Sequence, residues 1–327
     1  MNERIAVLTT SYPRAPGDAA GHFVASEVRR LRARGHEVEV FAPGPRQAAN
    51  WEPSVHWLGD RGAFGWPGAL PRLRENPLRA LGASEFALRA RQALRASGPF
   101  ARLQAHFLVP SGWPIALLGL ENQARTELEL VGHGSDVRLF CRLPKPLRKH
   151  ITSAWLARGA RLRLTSEELA HLVVGQHPEL RAVVSVEASP IDVDGTPDRR
   201  TARERLGFSE NATVAVVVAR LIPEKRVDVA LRALSAFAVS VLVVGDGPQL
   251  EALRACFPKV RFAGRLPRDE ALCCIAAADV LVSASREEGA PTVVREARLL
   301  GVPVVALGAG DLEKWARHDP GILLARS

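Results

Sequence analysis

The sequence predicts an α/β protein made of two doubly wound parallel-sheet domains. Its 327 residues, 47% of them hydrophobic, exceed what one hydrophobic core usually serves. Short β-rich apolar runs alternate with helix-period segments along the whole chain, which is typical of parallel sheets with helices on both faces. Pro, Gly and Asp crowd into residues 189–200, between one such series and the next. We therefore expect one domain over residues 1–190 and a second over residues 191–327.

The first half opens with the strand "RIAVLTT" and the helix "GHFVASEVRRLRARG", which Gly35 ends after a basic last turn. The strand "HEVEVFAP" follows. Residues 43–79 are rich in Pro, Gly and Trp, and this composition predicts a mostly irregular segment. The remaining predicted strands are "ARLQAHF", "LELVGH", "ARLRLTS" and "AVVSVEA", and the remaining predicted helices cover residues 83–96, 145–157 and 167–175.

The second half repeats this alternation and predicts a second doubly wound sheet. Its strands are "TVAVVVAR", "SVLVVGDG", "VRFAG", "DVLVSAS" and "PVVAL", and its helices are residues 225–236, "PQLEALRAC", "RDEALCCIAAA" and "PTVVREARLLG". The longest apolar blocks have only strand length and end in charged residues, so we expect no membrane-spanning helix.

The charge of the chain is +9 and is unevenly placed. Between Arg138 and Arg163 there are eight Arg or Lys and no Asp or Glu, and residues 72–102 are similarly rich. Such a surface could contact anionic lipid headgroups or an acidic acceptor, or could simply be solvated. Aromatic residues make up only 6% and do not alternate with the arginines, which argues against a nucleic-acid partner.

The amino-terminal "MNERIAVLTTSYPR" has too short an apolar stretch for a signal peptide and fits a first β-strand, so we expect a cytoplasmic protein. The cysteines show neither disulfide-rich density nor a C-x-x-C spacing. We expect all four to be reduced core residues, and we expect no structural metal. They are Cys141, Cys256, Cys273 and Cys274.

The loops that follow strands of an open parallel sheet are where ligands bind. After the first strand of the second half, Arg220 and Lys225 could hold a diphosphate between two cations and the amides of the next helix. The turn from Gly245 to Pro248 is a tight strand-to-helix corner. Backbone groups of Arg265 and Leu266, after a later strand, could contact a base edge.

Two glutamates flank the start of the helix "PTVVREARLLG". Pro291 suits the first helical position, so the amides nearby should line a helix N-terminus. Glu296 lies about one turn inside, where its carboxylate could accept hydrogen bonds from two ribose hydroxyls. Flanking apolar residues indicate that this helix is largely buried, where an unpaired Glu is costly. These residues are Val293, Val294, Leu299 and Leu300.

The second half resembles the family-4 retaining glycosyltransferases, the glycosyl transferases group 1, in three segments and in their order: "ARLIPEKRVDVALRAL", "VLVVGDGP" and the E-x7-E segment "EEGAPTVVREARLLGVPVVA". These proteins have the GT-B fold, two Rossmann-like domains facing a central cleft. The resemblance implies that Arg220 and Lys225 bind the donor diphosphate, that Glu288 lies at the donor sugar and that Glu296 holds the ribose. It further implies donor contacts from Gly245, Arg265, Leu266, Gly289, Ala290, Pro291 and Thr292.

The first half resembles the same family more loosely. "VGHGSDV" is similar to its H-G-x-D segment, which places His133 beside the reacting sugar and gives Asp136 a supporting role. The glycine-rich first loop lacks the tandem glycine of the family, and Gly21 is the residue expected to contact phosphate. "Ser189-Pro190-Ile191-Asp192" replaces the family's Asn-Gly-Val-Asp turn. The chain stops at "GILLARS", where relatives continue with terminal crossover helices, so we expect either a fragment or a shortened enzyme whose second domain lacks these helices.

The resemblance implies an enzyme that moves a hexose-type sugar from a UDP- or GDP-linked donor, with retention of configuration and without a metal or other cofactor. The amino-terminal domain would bind the acceptor, which could be a glycan, a lipid-linked molecule or a small molecule. The carboxy-terminal domain would bind the nucleotide sugar. Contact of the basic first domain with an anionic membrane is a further expectation.

Several alternatives remain open at this point. Asp192-Val193-Asp194 spells the D-x-D of metal-dependent, single-domain glycosyltransferases. Within the same fold, a sugar-nucleotide epimerase, a phosphorylase or an inactive homologue would share these motifs. A nicotinamide-dependent oxidoreductase is disfavoured because "TTSYPRAPGDAAG" lacks G-x-G-x-x-G. A two-domain sugar-binding protein would need an export signal, which we do not expect here.

Overall fold

The computed structural model describes residues 2–45, 52, 54–65 and 69–326. The chain divides into two compact units, Met1–Pro190 and Ile191–Ser327. Each unit contains one entirely parallel sheet with its own hydrophobic core. The predicted α/β class with two doubly wound parallel sheets is therefore confirmed.

The sheet of unit 1 has seven strands in the order β3-β2-β1-β4-β5-β6-β7. The strands are β1 Arg4–Leu8, β2 Glu37–Pro43, β3 Val55–Leu58, β4 Arg102–His106, β5 Glu127–Gly132, β6 Arg161–Leu164 and β7 Val184–Val186. The helices are α1 His22–Ala33, α2 Ala69–Glu75, α3 Arg79–Ser97, α4 Ala116–Gly119, α5 Ser135–Arg142, α6 Lys145–Ala157 and α7 Glu167–Gln176. The central strands are buried on both faces because helices cover both sides of the sheet.

The segment from 43 to 79 contains more regular structure than its composition predicts. β3 pairs in parallel with β2, and α2 follows it. Val55 is buried against the core formed by β1, β2 and α1. A four-residue edge strand is too short to show a clear period of two, so its pairing with β2 decides its structure.

The sheet of unit 2 has six strands in the order β10-β9-β8-β11-β12-β13. The strands are β8 Val214–Val218, β9 Ser240–Val244, β10 Arg261–Gly264, β11 Val280–Ser283, β12 Val304–Leu307 and β13 Ile322–Ala325. The helices are α8 Arg199–Leu206, α9 Val227–Leu234, α10 Leu250–Cys256, α11 Arg268–Ala276, α12 Thr292–Leu299 and α13 Leu312–His318. The predicted helix over residues 225–236 is shorter in the structure because the chain first makes a 3-10 turn, Pro223–Lys225.

Both sheets reverse their direction of growth beside their first strand. In unit 2 the chain runs outward from β8 to β9 and β10 and then returns to place β11 on the other side of β8. In unit 1, β4 lies beside β1 in the same way. Loops at such a reversal diverge and leave room for a ligand at the carboxyl ends of the strands. A ligand site is therefore expected at the loops after β8 and β11 and at those after β1 and β4.

A buried ion pair at the opposite edge fastens α8 to the sheet of unit 2. Arg203 is only 2% exposed and donates to Asp279 Oδ2 at 2.6 Å. Its Nε also donates to the carbonyl of Ala277 at 3.0 Å. The same carboxylate oxygen accepts the backbone N–H of Val214, the first residue of β8, at 2.7 Å. This pairing fixes the position of the helix, because loss of Asp279 would leave the buried guanidinium of Arg203 without its charged partner.

The structure corrects one sequence expectation about the cysteines. Cys141, Cys273 and Cys274 are buried, but Cys256 is exposed. It is the last residue of α10, in which Leu253 is the buried position. Within the part of the chain that the structure describes, no helix is both long and apolar enough to span a membrane.

Candidate functional site

The loop after β8 carries the first two predicted site residues. Arg220 follows the end of β8, and Lys225 ends the 3-10 turn before α9. The Lys225 ammonium donates a hydrogen bond to Oε1 of Glu288 in the loop after β11. The two side chains are 18% and 12% exposed, so the ion pair is largely shielded from solvent. The structure thus joins Lys225 to Glu288 across the sheet reversal.

Arg220 lies in surroundings that disfavour its charge. Burial lowers the pKa of this guanidinium, and the nearby Glu288 and Glu224 carboxylates act in the opposite direction. Arginine nevertheless stays protonated under ordinary conditions, so the site contains a partly desolvated cation. An anion brought to this position would offset the cost of that desolvation. This arrangement suits a phosphate group.

The glycine turn after β9 braces the Arg220 loop. Gly245 has φ of 138°, and a Cβ there would lie 1.8 Å from the carbonyl oxygen of Ala219. The backbone N–H of Leu221 donates to the Asp246 carbonyl at 2.9 Å, on the far side of Arg220. The position of Gly245 is therefore explained by backbone packing, and the close approach fixes the shape of the loop that carries Arg220.

The segment after Glu288 leads into α12. Gly289, Ala290 and Pro291 connect Glu288 to Thr292, where the helix begins. Pro291 is the residue before the first helical turn, one position earlier than predicted. The loop after β12 supports this segment, because a Cβ on Gly310 would lie 2.6 Å from the carbonyl oxygen of Gly289.

Glu296 is 6% exposed and accepts a hydrogen bond from Arg268 Nη1 at 2.5 Å. Arg268 is the first residue of α11, and its Nη2 also donates to the Asp192 carbonyl at 2.6 Å. The prediction that this helix is largely buried is only partly right, because Leu299 is 59% exposed. α12 has one buried face, and Glu296 lies on it with Val294 and Ala297.

Arg265 and Leu266 follow β10, the edge strand of the sheet. Arg265 is exposed, whereas Leu266 packs against the core of unit 2. The carbonyl of Gly264 accepts the backbone N–H of Gly245 at 2.7 Å, which joins this loop to the turn after β9. Both residues lie at the same carboxyl edge of the sheet as Arg220, two strands away from β8.

His133 lies at the carboxyl end of β5 in unit 1, and the Asp136 carboxylate supports its loop. Asp136 accepts backbone N–H groups from His133 and Gly134 at 3.0 Å each and from Leu108 at 2.8 Å. Burial raises the pKa of Asp136, and these hydrogen bonds act against that shift. A carboxylate with three backbone donors holds a loop firmly, as a supporting role requires.

The imidazole of His133 has partners at both nitrogens. Nε2 lies 3.0 Å from His106 Nδ1, and Nδ1 lies 3.4 Å from Ser189 Oγ. The rings of Phe23 and Phe107 lie 4.6 Å and 5.0 Å from that of His133. Burial, with a smaller contribution from the charge of Arg163, lowers the pKa of His133 to about 3. This histidine is therefore neutral at physiological pH.

The low pKa of His133 predicts acid sensitivity. Below the ordinary histidine pKa of 6.5, the unfolded chain takes up a proton that the folded chain rejects. The contribution to stability is therefore complete above that pH and is lost as the pH falls toward 3. Between pH 7 and pH 5 the wild type should lose about 2 kcal/mol of unfolding free energy through this residue. His133→Asn should remove that loss.

Urea unfolding at both pH values, followed by tryptophan fluorescence, measures this difference. Trp155 is fully buried in unit 1 and reports on its unfolding. His171→Asn, at an exposed position of α7, is the matched control and should keep the wild-type pH dependence. An equal pH dependence in the wild type and His133→Asn would contradict the buried neutral histidine.

Gly21 precedes α1 with φ of 66°, and a Cβ there would lie 2.2 Å from the carbonyl oxygen of Ser11. Close packing against the loop after β1 therefore requires a glycine here, whatever its contact with a ligand. The structure places Gly21 and His133 in unit 1 and all other predicted site residues in unit 2.

Sequence reasoning missed several residues that contact or support these sites. Arg268 and His106 contact predicted residues directly, and Gly310 supports the Glu288 segment. Arg268 is at the start of a predicted helix, and His106 is at the end of a predicted strand. Side chains at both kinds of position can reach the carboxyl edge of a parallel sheet. The glycines of "GAG" after β12 were a turn signal. Their partners come from distant parts of the chain, so the motifs alone did not reveal them.

Parts of the chain are similar in sequence to known proteins. Residues 212–327 match the family model described as Glycosyl transferases group 1. TuaC of Bacillus subtilis, named as a teichuronic acid biosynthesis glycosyltransferase, is 28% identical over 69% of this chain and 58% of its own length. The D-inositol 3-phosphate glycosyltransferase of Mycobacterium leprae is 25% identical over 90% of this chain and 74% of its own. The matched region thus spans less than two thirds of TuaC.

The solved structure of Anabaena HepE in complex with UDP and glucose superposes with a TM-score of 0.71 at 18% identity, covering 99% of this chain and 86% of HepE. The chain therefore has the GT-B fold. In sequence, residues 212–327 are similar to the group 1 glycosyltransferases. The single-domain alternative suggested by D-x-D is wrong, because each half of the chain forms its own parallel sheet. The Asp192 carboxylate instead accepts the backbone N–H of Asp194 at 3.0 Å in a local turn.

Proposed function

We propose that the protein transfers a hexose-type sugar from a UDP- or GDP-linked donor to an acceptor, with retention of configuration. The observation that carries this proposal is the cluster at the sheet reversal of unit 2. There the loops after β8 and β11 bring together Lys225 and Glu288, and the charge of Glu288 acts on Arg220. Glu296 lies further along the chain that leaves the same loop.

A nucleotide sugar already contains a good leaving group, so most of the catalytic effect must come from stabilising charge on the departing diphosphate. Arg220 supplies a partly desolvated guanidinium for that charge. Lys225 supplies an ammonium that Glu288 holds in place. Two fixed cations can neutralise a diphosphate without a metal, and we assign the reaction no cofactor. The departing phosphate would help to deprotonate the acceptor, so no protein nucleophile is needed.

His133 would contact the donor sugar as a neutral hydrogen-bonding group. Its lowered pKa removes it from acid catalysis at neutral pH. The 3.4 Å contact from Nδ1 to Ser189 is the longer of its two ring contacts. A sugar hydroxyl could replace that contact at small cost, whereas the 3.0 Å contact to His106 would keep the ring oriented.

The names of the similar proteins support a nucleotide-sugar donor and a glycoconjugate product. HepE was solved with UDP and glucose, and TuaC is named for teichuronic acid biosynthesis. We propose a UDP- or GDP-sugar as the donor partner and a glycan, a lipid-linked molecule or a small molecule as the acceptor. We also propose a cytoplasmic location, where these donors are made.

A thermal-shift screen of UDP, GDP and their hexose conjugates tests the donor. A ligand at a hundred times its dissociation constant should add about 2.7 kcal/mol of stability. The stabilising donor is then incubated with candidate acceptors, and NMR of the anomeric proton reads the configuration of the product. Retention in a metal-free buffer with chelator supports the proposal.

Three outcomes would overturn the proposal. Epimerised donor in the absence of acceptor would identify an epimerase. Nucleotide binding without transfer to any acceptor would identify an inactive homologue. Activity that disappears with chelator and returns with Mn²⁺ would contradict the metal-free mechanism.

We further propose that unit 1 contacts anionic membrane through α3. The basic stretch around α5 and α6 is partly engaged within the protein: Arg163 pairs with Glu27 and Glu129, and Arg138 with Glu168. The helix α3 carries four arginines and one glutamate, and its arginines form ion pairs with Glu75, Glu85 and Glu121. Leu78, just before α3, and Leu81 and Leu88 within it are 72%, 59% and 66% exposed. Exposed leucines beside cationic side chains suit a surface of anionic lipid.

Replacing Leu78, Leu81 and Leu88 together with serine should weaken binding to phosphatidylglycerol-containing vesicles at least tenfold in a sedimentation assay. The matched control is Leu299→Ser with Leu323→Ser, two exposed leucines of unit 2. The wild type and the control should bind anionic vesicles better than pure phosphatidylcholine vesicles, and salt should reduce this preference. Equal binding by the wild type and the triple variant would refute the contact.

A further inference from the structure

Arg268 makes two short hydrogen bonds. They link Glu296, the residue predicted to hold the ribose, to Asp192 among the first residues of unit 2. Its Nη1 lies 2.5 Å from Glu296 Oε1, and its Nη2 lies 2.6 Å from the Asp192 carbonyl oxygen. The Arg268 and Glu296 side chains are 17% and 7% exposed. The fork of a guanidinium can hold two acceptors at a fixed angle, which an ammonium cannot do.

The carboxylate of Glu296 has a demanding task if it holds a ribose. It must stay ionised in a buried position, and its plane must be set so that vicinal hydroxyls reach it at hydrogen-bond distance. Arg268 meets both requirements because its charge stabilises the ionised form and its contact fixes the carboxylate. The second contact, to Asp192, holds the arginine itself, so its position does not depend on a ligand.

Arg295 also lies in the electrostatic neighbourhood of Glu296. Burial lowers the pKa of Arg295, and the Glu296 carboxylate acts in the opposite direction. Two arginines therefore act on the charge of Glu296, and Arg268 also donates a hydrogen bond to its Oε1 at 2.5 Å. A change in orientation, as distinct from a change in charge, should follow from replacing Arg268.

We propose that Arg268 is a positioning residue that orients Glu296 toward the donor ribose and so sets the preference of the site for ribonucleotides over 2′-deoxyribonucleotides. This inference rests on the proposed function, because it takes Glu296 as the ribose ligand. It adds a residue outside the E-x7-E segment to the determinants of nucleotide selectivity. The acting group is the paired guanidinium of Arg268, with the Asp192 carbonyl as its anchor.

Calorimetric dissociation constants of UDP and 2′-deoxy-UDP, on the full chain, test the proposal; GDP and 2′-deoxy-GDP replace them if the donor screen selects guanine. The wild type should prefer the ribonucleotide by about 10- to 100-fold, the range of one hydrogen bond to a charged group. Arg268→Ala should reduce that ratio about tenfold and change the affinity for the deoxynucleotide less than about threefold. A loosened fold would weaken both ligands equally, so the ratio separates positioning from a general structural effect.

Glu296→Gln provides the second side of a double-mutant cycle. It should reduce the ratio by itself, and Arg268→Ala should reduce it no further in the Glu296→Gln background, because the two residues act through one carboxylate. Arg261→Ala is the matched control. Arg261 donates to the Leu206 carbonyl at 2.7 Å and lies at the amino end of β10, so its loss should leave the ratio unchanged.

The outcomes separate this inference from the proposed function. A wild-type ratio in Arg268→Ala together with a reduced ratio in Glu296→Gln would overturn the role of Arg268 alone. A wild-type ratio in Glu296→Gln would overturn the ribose contact on which both depend. Circular dichroism checks that each variant folds. If Arg268→Ala does not fold, Arg268→Lys decides: an ammonium lacks the rigid planar fork that fixes the carboxylate, so a reduced ratio supports the proposal and an unchanged ratio overturns it.

Discussion

Arg220→Ala should lower kcat/KM for sugar transfer by about 10²- to 10³-fold, the loss that removal of one preorganised charge-stabilising donor usually causes. The departing diphosphate gains negative charge as the sugar bond breaks, and Arg220 is the partly desolvated cation of the loop after β8. Its burial makes the effect large, because few water molecules can replace the guanidinium. Initial rates with the donor selected by the thermal-shift screen measure this loss.

Two further variants test whether the loss in kcat/KM comes from the guanidinium of Arg220. Arg220→Lys should recover part of the rate, because it keeps the charge but loses the bidentate fork. Arg254→Ala, an exposed arginine of α10 that pairs with Glu251, should keep wild-type kinetics. Transfer by Arg220→Ala within threefold of the wild-type rate would show that this guanidinium does not stabilise the leaving group.

Gly245→Ala should destabilise unit 2 by about 3 kcal/mol or more, the sum of left-handed backbone strain and a severe steric overlap. The added Cβ would lie 1.8 Å from the Ala219 carbonyl oxygen, which belongs to the backbone and cannot rotate away. Urea unfolding followed through Trp315, the one tryptophan in residues 191–327, measures the change. The same shift of the Ala219 backbone should weaken nucleotide binding by displacing Arg220.

Gly301 offers a matched control for the backbone strain alone. Its φ is 75°, and a Cβ there would meet no atom within 4 Å among the residues that the structure describes. Gly301→Ala should therefore cost only about 1–2 kcal/mol and leave nucleotide affinity unchanged. Equal destabilisation by the two substitutions would show that the contact with Ala219 relaxes without cost.

The elements that the sequence predicted well are those with a strong local signal. β8, β9 and β12 are short β-branched runs between turn residues, and α6 has the helical period over its full length. The missed elements lack such a signal or depend on distant partners. α8 is highly charged and owes its place to Arg203, while β13 is a four-residue edge strand that pairs only with β12. Tertiary contacts outweigh local propensity in both cases.

The site shows the same division. Position after a strand was enough to select Arg220, Lys225 and Glu288 as candidates, because parallel strands deliver their carboxyl ends to one edge. The motifs did not predict which side chains pair with one another. Lys225 and Glu288 are 63 positions apart, and Arg268 and Glu296 are 28 positions apart. Such contacts depend on loop shapes that packed glycines such as Gly245 determine, and no pattern of residue types encodes those shapes.

Because all strands of the sheet in unit 2 are parallel, its amino edge and its carboxyl edge have separate roles. The amino edge contains the Arg203–Asp279 ion pair, whose loss would lower the stability of the unit. The carboxyl edge contains the candidate site residues. They lie in loops whose sequence can vary while the strands stay the same. Under the proposed function, changes in sugar or base preference can therefore accumulate at the carboxyl edge without weakening the fold, and the connections after β10 and β12 are the natural targets for redirecting specificity.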